Sequence, residues 1–241
     1  MRRLVPRIDP TAHAALALLA DEQTSAKDYG NAFYRLGTLL AQRVPQTSLG
    51  KSILVVCTSE DADYFARGIL ESIVGRTASQ SRVALACFWQ TRLKAMDAGL
   101  GRDSIEIAPI VKRYEERSDE IDTLIVVKSI ISSSCVVKHA LLDIMGRKQP
   151  KKILIVAPVI LRGAEARLRE EFPADISRRF EFFYFAEEDQ KDDSGNVRPG
   201  IGGNIYERLG LTERGAGSIP RLVLERRARY RTWPKMPESR S

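Results

Sequence analysis

The chain has 241 residues, of which 44% are hydrophobic, and this is enough apolar material for one full α/β core with a small appendage. Its three cysteines and two histidines show no paired spacing, which argues against a disulfide framework or a zinc site and favours a reduced cytoplasm. No apolar run approaches the roughly 20 residues that span a bilayer, and the basic N-terminus lacks the apolar segment of a secretory signal.

Residues 1–50 are predicted to form a helical lead-in. The segment 13–19 is rich in Ala and Leu, and the segment 28–44 places Phe33, Leu36 and Leu40 on one stripe of a helix. Such a stripe predicts that the lead-in packs against the domain that follows.

Residues 51–220 are predicted to form the α/β domain, because apolar runs of strand length alternate there with helical patterns. Most runs are continuous in Val, Ile, Leu and Phe, which is typical of strands covered on both faces. The alternation predicts a doubly wound, mainly parallel sheet. The predicted strands are residues 53–57, 83–88, 105–111, 123–127, 152–157 and 180–186, and the predicted helices are residues 61–74, 135–145 and 164–172.

Residues 221–241 form a basic C-terminal tail. This segment carries seven Lys and Arg against two Glu, so it contributes +5 of the net charge of +7. Together with Tyr230 and Trp233, these charges leave nucleic acid or an acidic partner open as a ligand of the tail. A solvated or dimer-contacting C-terminus is the favoured interpretation.

Ligands of an open parallel sheet gather at the carboxyl ends of its strands, and three predicted loops lie there. The first loop, 129–135, places small hydroxyl residues before a helix, an arrangement that presents backbone N–H groups to a phosphate but also serves as an ordinary helix cap. A nucleophilic cysteine beside His139 is disfavoured against a buried, inert one. The phosphate-binding candidates are Lys128, Ser129, Ser132, Ser133, Ser134 and Cys135.

The second loop follows the first core strand and carries Glu60, Asp61 and Asp63. Three carboxylates in four residues could hold a metal ion or ribose hydroxyls. Capping of the next helix is favoured, because acidic residues are enriched in the first turn of helices. The sequence therefore predicts no metal site.

The third loop is the segment 195–204, Gly-Asn-Val-Arg-Pro-Gly-Ile-Gly-Gly-Asn, which precedes Tyr206. Its four glycines would let the backbone approach a flat ligand and read the edge of a base, although a plain flexible turn has the same composition. The base-binding candidates are Val197, Pro199, Gly200, Ile201, Gly202 and Gly203.

Taken in order, these segments resemble the uracil phosphoribosyltransferases, a family of type I phosphoribosyltransferases, over residues 52–211. The loop that binds ribose phosphate in that family corresponds to residues 127–135 without a gap, and the segment 152–163 resembles the strand that follows it. The most specific similarity is the layout of Asp189 and the glycine-rich third loop, which correspond to the base-binding segment. The resemblance implies a type I phosphoribosyltransferase-like fold, a homodimer and, for an active enzyme, Mg²⁺.

The departures from the family concern its charged residues. Val127 and Lys128 stand where the family has the two acidic residues that hold the ribose hydroxyls. The family's pyrophosphate-binding arginine has its nearest counterpart in Arg92, which is displaced along the sequence. Because Lys128 inverts the local charge, it should oppose the binding of ribose and a metal ion. Two other roles are open for it: contact with a phosphate, or an internal ion pair. Gly203, Tyr206 and Glu207 stand where the family has Asp, Asp and Arg.

The sequence therefore favours a protein that binds a phosphate, nucleotide or ribose-phosphate ligand and has lost ordinary transferase activity. The alternatives are a nucleobase phosphoribosyltransferase or nucleotide-glycosidic hydrolase with altered chemistry, and a nucleic-acid-binding protein that uses the basic tail. The acids left for catalysis are Glu60, Asp61, Asp63 and Asp189.

Overall fold

The structure, a computed structural model, describes residues 2–91, 93–95, 105–192, 196–211 and 218–231. The strands are β1 (Arg3–Leu4), β2 (Ser52–Thr58), β3 (Arg82–Gln90), β4 (Leu93–Ala95), β5 (Ile105–Ile107), β6 (Ile110–Glu115), β7 (Thr123–Val127), β8 (Ile130–Ile131), β9 (Lys152–Val156), β10 (Val159–Leu161), β11 (Phe180–Phe183), β12 (Ala186–Glu188), β13 (Gln190–Lys191) and β14 (Val197–Arg198). The helices are α1 (Pro10–Ala20), α2 (Ala26–Arg43), α3 (Arg67–Arg76), α4 (Cys135–Met145), α5 (Ala164–Glu170), α6 (Ala174–Ser177), α7 (Ile205–Arg208) and α8 (Arg221–Arg231), and a π-helical turn, Ala62–Ala66, leads into α3.

The main sheet has six strands in the order β11-β9-β7-β2-β3-β6, and all are parallel except β6, at one edge. Successive residues of β2 point into two different cores. Val55 packs in the core that holds residues of α1, α2 and α3, whereas Leu54 and Val56 pack in the core that holds residues of α4 and α5. The predicted doubly wound α/β sheet with a helical lead-in is therefore confirmed, and burial on both faces explains the continuous apolar runs.

A second sheet continues three strands of the first. After two-residue breaks, β7, β9 and β11 lead into β8, β10 and β12, which form a sheet in the order β1-β12-β10-β8. The prediction of one strand over residues 180–186 is therefore wrong. The chain turns at residues 184–185, where the amides of Phe185 and Ala186 both donate to the carbonyl of Pro158.

The predicted strand 105–111 is also divided, into β5 and β6. Proline 109 lies between them and has no N–H to donate to a ladder. The first piece pairs with β4 and the second with β3, so the two pieces belong to different sheets.

Helix α8 closes the described part of the chain and packs on the domain. Leu222 and Val223 are buried, and the Asp63 carboxylate accepts hydrogen bonds from the backbone N–H groups of Arg221 (3.0 Å) and Leu222 (2.7 Å). Residues 221–231 of the basic segment are thus an ordered helix on the core. Within the described residues, no helix is both long and apolar enough to cross a membrane.

Candidate functional site

The cleft opens between the carboxyl ends of β2 and β7. These neighbouring strands lead to helices on opposite faces of the sheet, β2 to α3 and β7 to α4, so the cleft lies at a topological switch point. Its volume is about 510 Å³. It is lined by Thr58, Ser59, Glu60, Trp89, Gln90, Thr91, Val111, Lys128, Ser129, Ile130, Val136, Asn196, Ile201, Gly203, Asn204, Ile205 and Tyr206.

The floor of the cleft is an ion-paired cluster centred on Lys128. Its ammonium lies 2.5 Å from Glu60 Oε1, 2.9 Å from Asp61 Oδ2 and 3.1 Å from Ser129 Oγ. The side chains of Lys128 and Asp61 are 3% and 0% exposed, whereas that of Glu60 is 31% exposed. Burial of these charges is tolerated because each has an oppositely charged partner and further hydrogen bonds.

Asp61 is held by three donors at once. Besides the Lys128 ammonium, it accepts the Thr58 hydroxyl at 2.6 Å and the Ser129 backbone N–H at 3.2 Å. The carboxylate therefore ties the loop after β2 to the loop after β7. Of the two roles left open for Lys128, the structure contains the internal ion pair.

The floor does not fit the Mg²⁺ that an active phosphoribosyltransferase would use. The Lys128 ammonium already lies against Glu60 and Asp61 and takes the place that a cation would need between the two carboxylates. In the part of the chain that the structure describes, no three His, Cys, Asp or Glu side chains are grouped to hold a metal ion.

Two further charged candidates, Asp63 and Asp189, do not line the cleft. Asp63 caps α8, and Asp189 makes an ion pair of 3.4 Å with Arg162. Arg92 lies outside the described residues.

Of the predicted phosphate-binding residues after β7, the first two lie in the cleft. Lys128 and Ser129 line it, while the described side chains of residues 132–135 do not. The Ser134 hydroxyl donates to Glu171 at 2.6 Å, which directs it toward α5. Cys135 is buried, with its Sγ 3.8 Å from His139 Nδ1. The phosphate-binding role of these residues remains a prediction.

The glycine-rich loop forms a fixed wall of the cleft. Gly200 and Gly202 have φ angles of +56° and +70°, and a Cβ on them would lie 2.2 Å from the Val197 carbonyl oxygen and 2.1 Å from that of Leu19. Glycine is therefore required there for internal packing. Of the six predicted base-binding residues, Ile201 and Gly203 line the cleft. The Ile201 carbonyl accepts the hydroxyl of the buried Tyr29 at 2.8 Å.

Several lining residues were not among the predicted site residues. Trp89 and Gln90 end β3 and Thr91 follows it, so they lie at the carboxyl end of a strand, the same signal that identified the loops after β2 and β7. Trp89 Nε1 donates to the Ser218 carbonyl at 2.8 Å, and Gln90 Nε2 donates to the carbonyls of Ala108 and Val136.

Tyr206 contributes a neutral hydroxyl to the cleft, 3.1 Å from Ser59 Oγ. Burial, together with the nearby carboxylates of Glu60 and Asp61, raises the pKa of the Tyr206 phenol, although its hydrogen bond with Ser59 opposes the shift. The phenol therefore stays protonated at neutral pH and can donate to a ligand.

Fold and site together define a doubly wound α/β protein with a polar cleft at its switch point. No family model and no curated protein matches the sequence. Among solved structures, the AQ2163 protein from Aquifex aeolicus is similar over 88% of this chain and 99% of that chain, with a TM-score of 0.65 and 16% identity. This similarity shows a shared fold.

Two further solved structures are similar at lower TM-scores. A hypothetical protein from Neisseria gonorrhoeae with bound ppGpp matches with a TM-score of 0.43 and 11% identity, over 64% of this chain and 77% of that chain. A hypoxanthine phosphoribosyltransferase from Staphylococcus aureus matches with a TM-score of 0.37 and 15% identity, over 58% of this chain and 67% of that chain.

Proposed function

We propose that this chain is a phosphoribosyltransferase-like binding protein, which holds a nucleoside or nucleotide in the cleft and does not catalyse ordinary phosphoribosyl transfer. The order of the motifs over residues 52–211, which resembles the uracil phosphoribosyltransferases, supports the ligand class. The position of the cleft at the switch point supports the binding site.

The observation that carries the proposal is the Lys128 ion pair. Phosphoribosyl transfer requires the ribose to be oriented and the charge of its transition state and of Mg²⁺-pyrophosphate to be stabilised. Here a lysine stands in place of a ribose-binding acid, and its ammonium is ion-paired with both Glu60 and Asp61. Each lost electrostatic contact of this kind costs about 2–4 kcal/mol of transition-state stabilisation. The loss of several such contacts together lowers the reaction rate by several powers of ten.

The lining of the cleft suits a flat ligand with hydrogen-bonding edges. Tyr206 supplies aromatic surface, and the amides of Asn196 and Asn204 can pair with either donors or acceptors. A volume of about 510 Å³ is in the range of small-molecule sites.

Calorimetric titration of the full chain tests the proposal. The ligands are phosphoribosyl pyrophosphate with and without Mg²⁺, the common nucleosides and their 5′-monophosphates, and pyrophosphate release is followed in the presence of uracil. We expect at least one nucleoside or nucleotide to bind and no pyrophosphate to appear. Mg²⁺-dependent binding of phosphoribosyl pyrophosphate with turnover would overturn the loss of activity, and failure of the whole panel would overturn the binding function.

A matched pair of variants locates the ligand. Val111 lines the cleft and is 56% exposed, whereas Val74 on α3 is 48% exposed and lies outside it. Val111→Trp should weaken ligand binding by about tenfold, because the indole takes up part of the cavity. Val74→Trp should leave the affinity unchanged. Equal affinity in the two variants would place the ligand elsewhere.

A further inference from the structure

The charges around the cleft point to a more specific ligand. Of the described residues that line it, only Glu60 and Lys128 carry a charge. Asp61 lies directly beneath them and is fully buried. Two carboxylates therefore surround one ammonium, and these three side chains together have a net charge of −1.

The Lys128 ammonium has no proton to offer a ligand. It has three N–H donors, and these reach Glu60, Asp61 and Ser129. A phosphate that approached Lys128 would have to replace one of these acceptors, and that acceptor would lose its hydrogen bond to the lysine. Among the described residues, the partly exposed Glu60 carboxylate is the charged group that remains in contact with the cleft.

We infer that the cleft selects the uncharged, non-phosphorylated form of its ligand, a nucleoside or free nucleobase, and that Glu60 sets this preference. The inference rests on the proposed function and names its ligand class. A carboxylate accepts N–H or O–H donors from a base or a ribose in strong, charge-assisted hydrogen bonds. The same carboxylate repels a phosphate dianion, so selectivity comes from an attractive contact and a repulsive one together.

The first test compares each common nucleoside with its own 5′-monophosphate by calorimetric titration of the full chain at low ionic strength. We expect the nucleoside to bind at least tenfold more tightly, a difference of about 1.4 kcal/mol. A monophosphate that binds as tightly as its nucleoside, or more tightly, would overturn the inference and leave the proposed function intact. Absence of binding by both members of every pair would instead overturn the proposed function.

The second test changes the charge of the floor. Glu60→Gln keeps the shape of the side chain and leaves Asp61 and Lys128 as a neutral pair. It should raise the ratio of monophosphate affinity to nucleoside affinity by tenfold or more. The control is Asp175→Asn, which removes one negative charge from an exposed side chain on α6. An unchanged ratio in the Glu60 variant would contradict the role of Glu60.

The salt dependence of the unmodified protein gives a third measurement that needs no variant. Repulsion between a phosphate and the floor is screened by ions, with a Debye length that falls from about 30 Å at 0.01 M to about 8 Å at 0.15 M salt. The affinity of the monophosphate should therefore rise toward that of the nucleoside as salt is added. A monophosphate affinity that falls with salt would indicate a net positive site and overturn the inference.

Discussion

The charge of Lys128 is held inside the protein by the residues around it. Its side chain is 3% exposed and its protons reach two carboxylates and a hydroxyl. A substitution that removes only the ammonium leaves the buried Asp61 carboxylate without its lysine counter-ion, whereas removal of this acid as well relieves part of the imbalance.

Lys128→Met should therefore lower the free energy of unfolding by about 3–5 kcal/mol, measured by urea denaturation. The double variant Lys128→Met/Asp61→Asn should recover part of this loss. Lys27→Met, at an exposed position of α2, is the control and should change stability by less than about 0.5 kcal/mol. A loss below about 1 kcal/mol in the Lys128 variant would show that the ion pair does not stabilise the fold.

Asp122 joins the amino ends of β2 and β7, at the end of the strands opposite the cleft. Its carboxylate accepts the N–H groups of Lys51 and Ser52, each at 3.1 Å, and the Lys151 ammonium at 2.7 Å. The hydrogen bond from Lys151, with that from the Ser52 amide, lowers the pKa of Asp122 below its usual value. The charged form is thus favoured in the folded state.

This pKa shift predicts a pH dependence of stability. A lowered folded-state pKa contributes stability that is fully present above the unfolded value, near 3.9, and is lost as the pH falls through the lower folded value. Asp122→Asn should therefore be less stable than the unmodified chain at pH 7, and the difference should shrink below about pH 4. The control is Asp119→Asn, at a nearby exposed side chain, which should show no such change with pH. A difference in stability between Asp122→Asn and the unmodified chain that stays constant from pH 7 to pH 2 would contradict the role of the Asp122 charge.

At the scale of elements, helix α2 lies unusually close to the chain that follows β2. A Cβ on Gly37 would lie 2.3 Å from the Phe65 carbonyl oxygen, a backbone atom that cannot move without shifting the π-helical turn. That turn begins directly after Glu60 and Asp61, so this close contact helps to position the floor of the cleft.

Gly37→Ala should destabilise the protein by about 1–3 kcal/mol, since overpacking displaces backbone. Gly75→Ala in α3 is the matched control, because no atom of the described residues outside its own stretch of helix lies within 4 Å of the added Cβ. The higher helix propensity of Ala should leave stability equal or raised by up to about 1 kcal/mol. Thermal and urea unfolding of the two variants give the comparison. Similar stability in both would show that α2 can move away from the turn at little cost.

The bounds of β7 and α4 were predicted from the sequence, residues 123–127 and 135–145, because an apolar run ends at Lys128 and a helical pattern begins after Ser134. The strands β1, β8 and β10 were not predicted, since two or three residues carry no periodicity. Glu60 and Lys128 were each identified from local signals. Their ion pair depends on β2 lying beside β7, and residues 68 positions apart carry no local signal of that contact.

At the scale of the whole molecule, the C-terminal segment is joined to the domain through its charges. Arg226 makes an ion pair of 2.5 Å with the buried Glu116, and Arg227 lies over the Tyr114 ring at 5.2 Å. Trp89, in the wall of the cleft, donates to Ser218 just before α8. These arginines contact the protein itself, so a nucleic acid would have to compete with intramolecular partners for them.

Helix α8 therefore belongs to the core of the molecule, and two neighbouring leucines test this. Leu222 is 3% exposed and Leu224 is 50% exposed, and both are in the same helix. Leu222→Ala should lower the free energy of unfolding by about 2–5 kcal/mol in urea, the usual range for a leucine truncated in a packed interior. Leu224→Ala should change it by less than about 0.5 kcal/mol, because it removes contacts that solvent largely replaces. Equal, small effects of both substitutions would mean that residues 221–231 are a peripheral tail, and would restore that tail as a free basic surface.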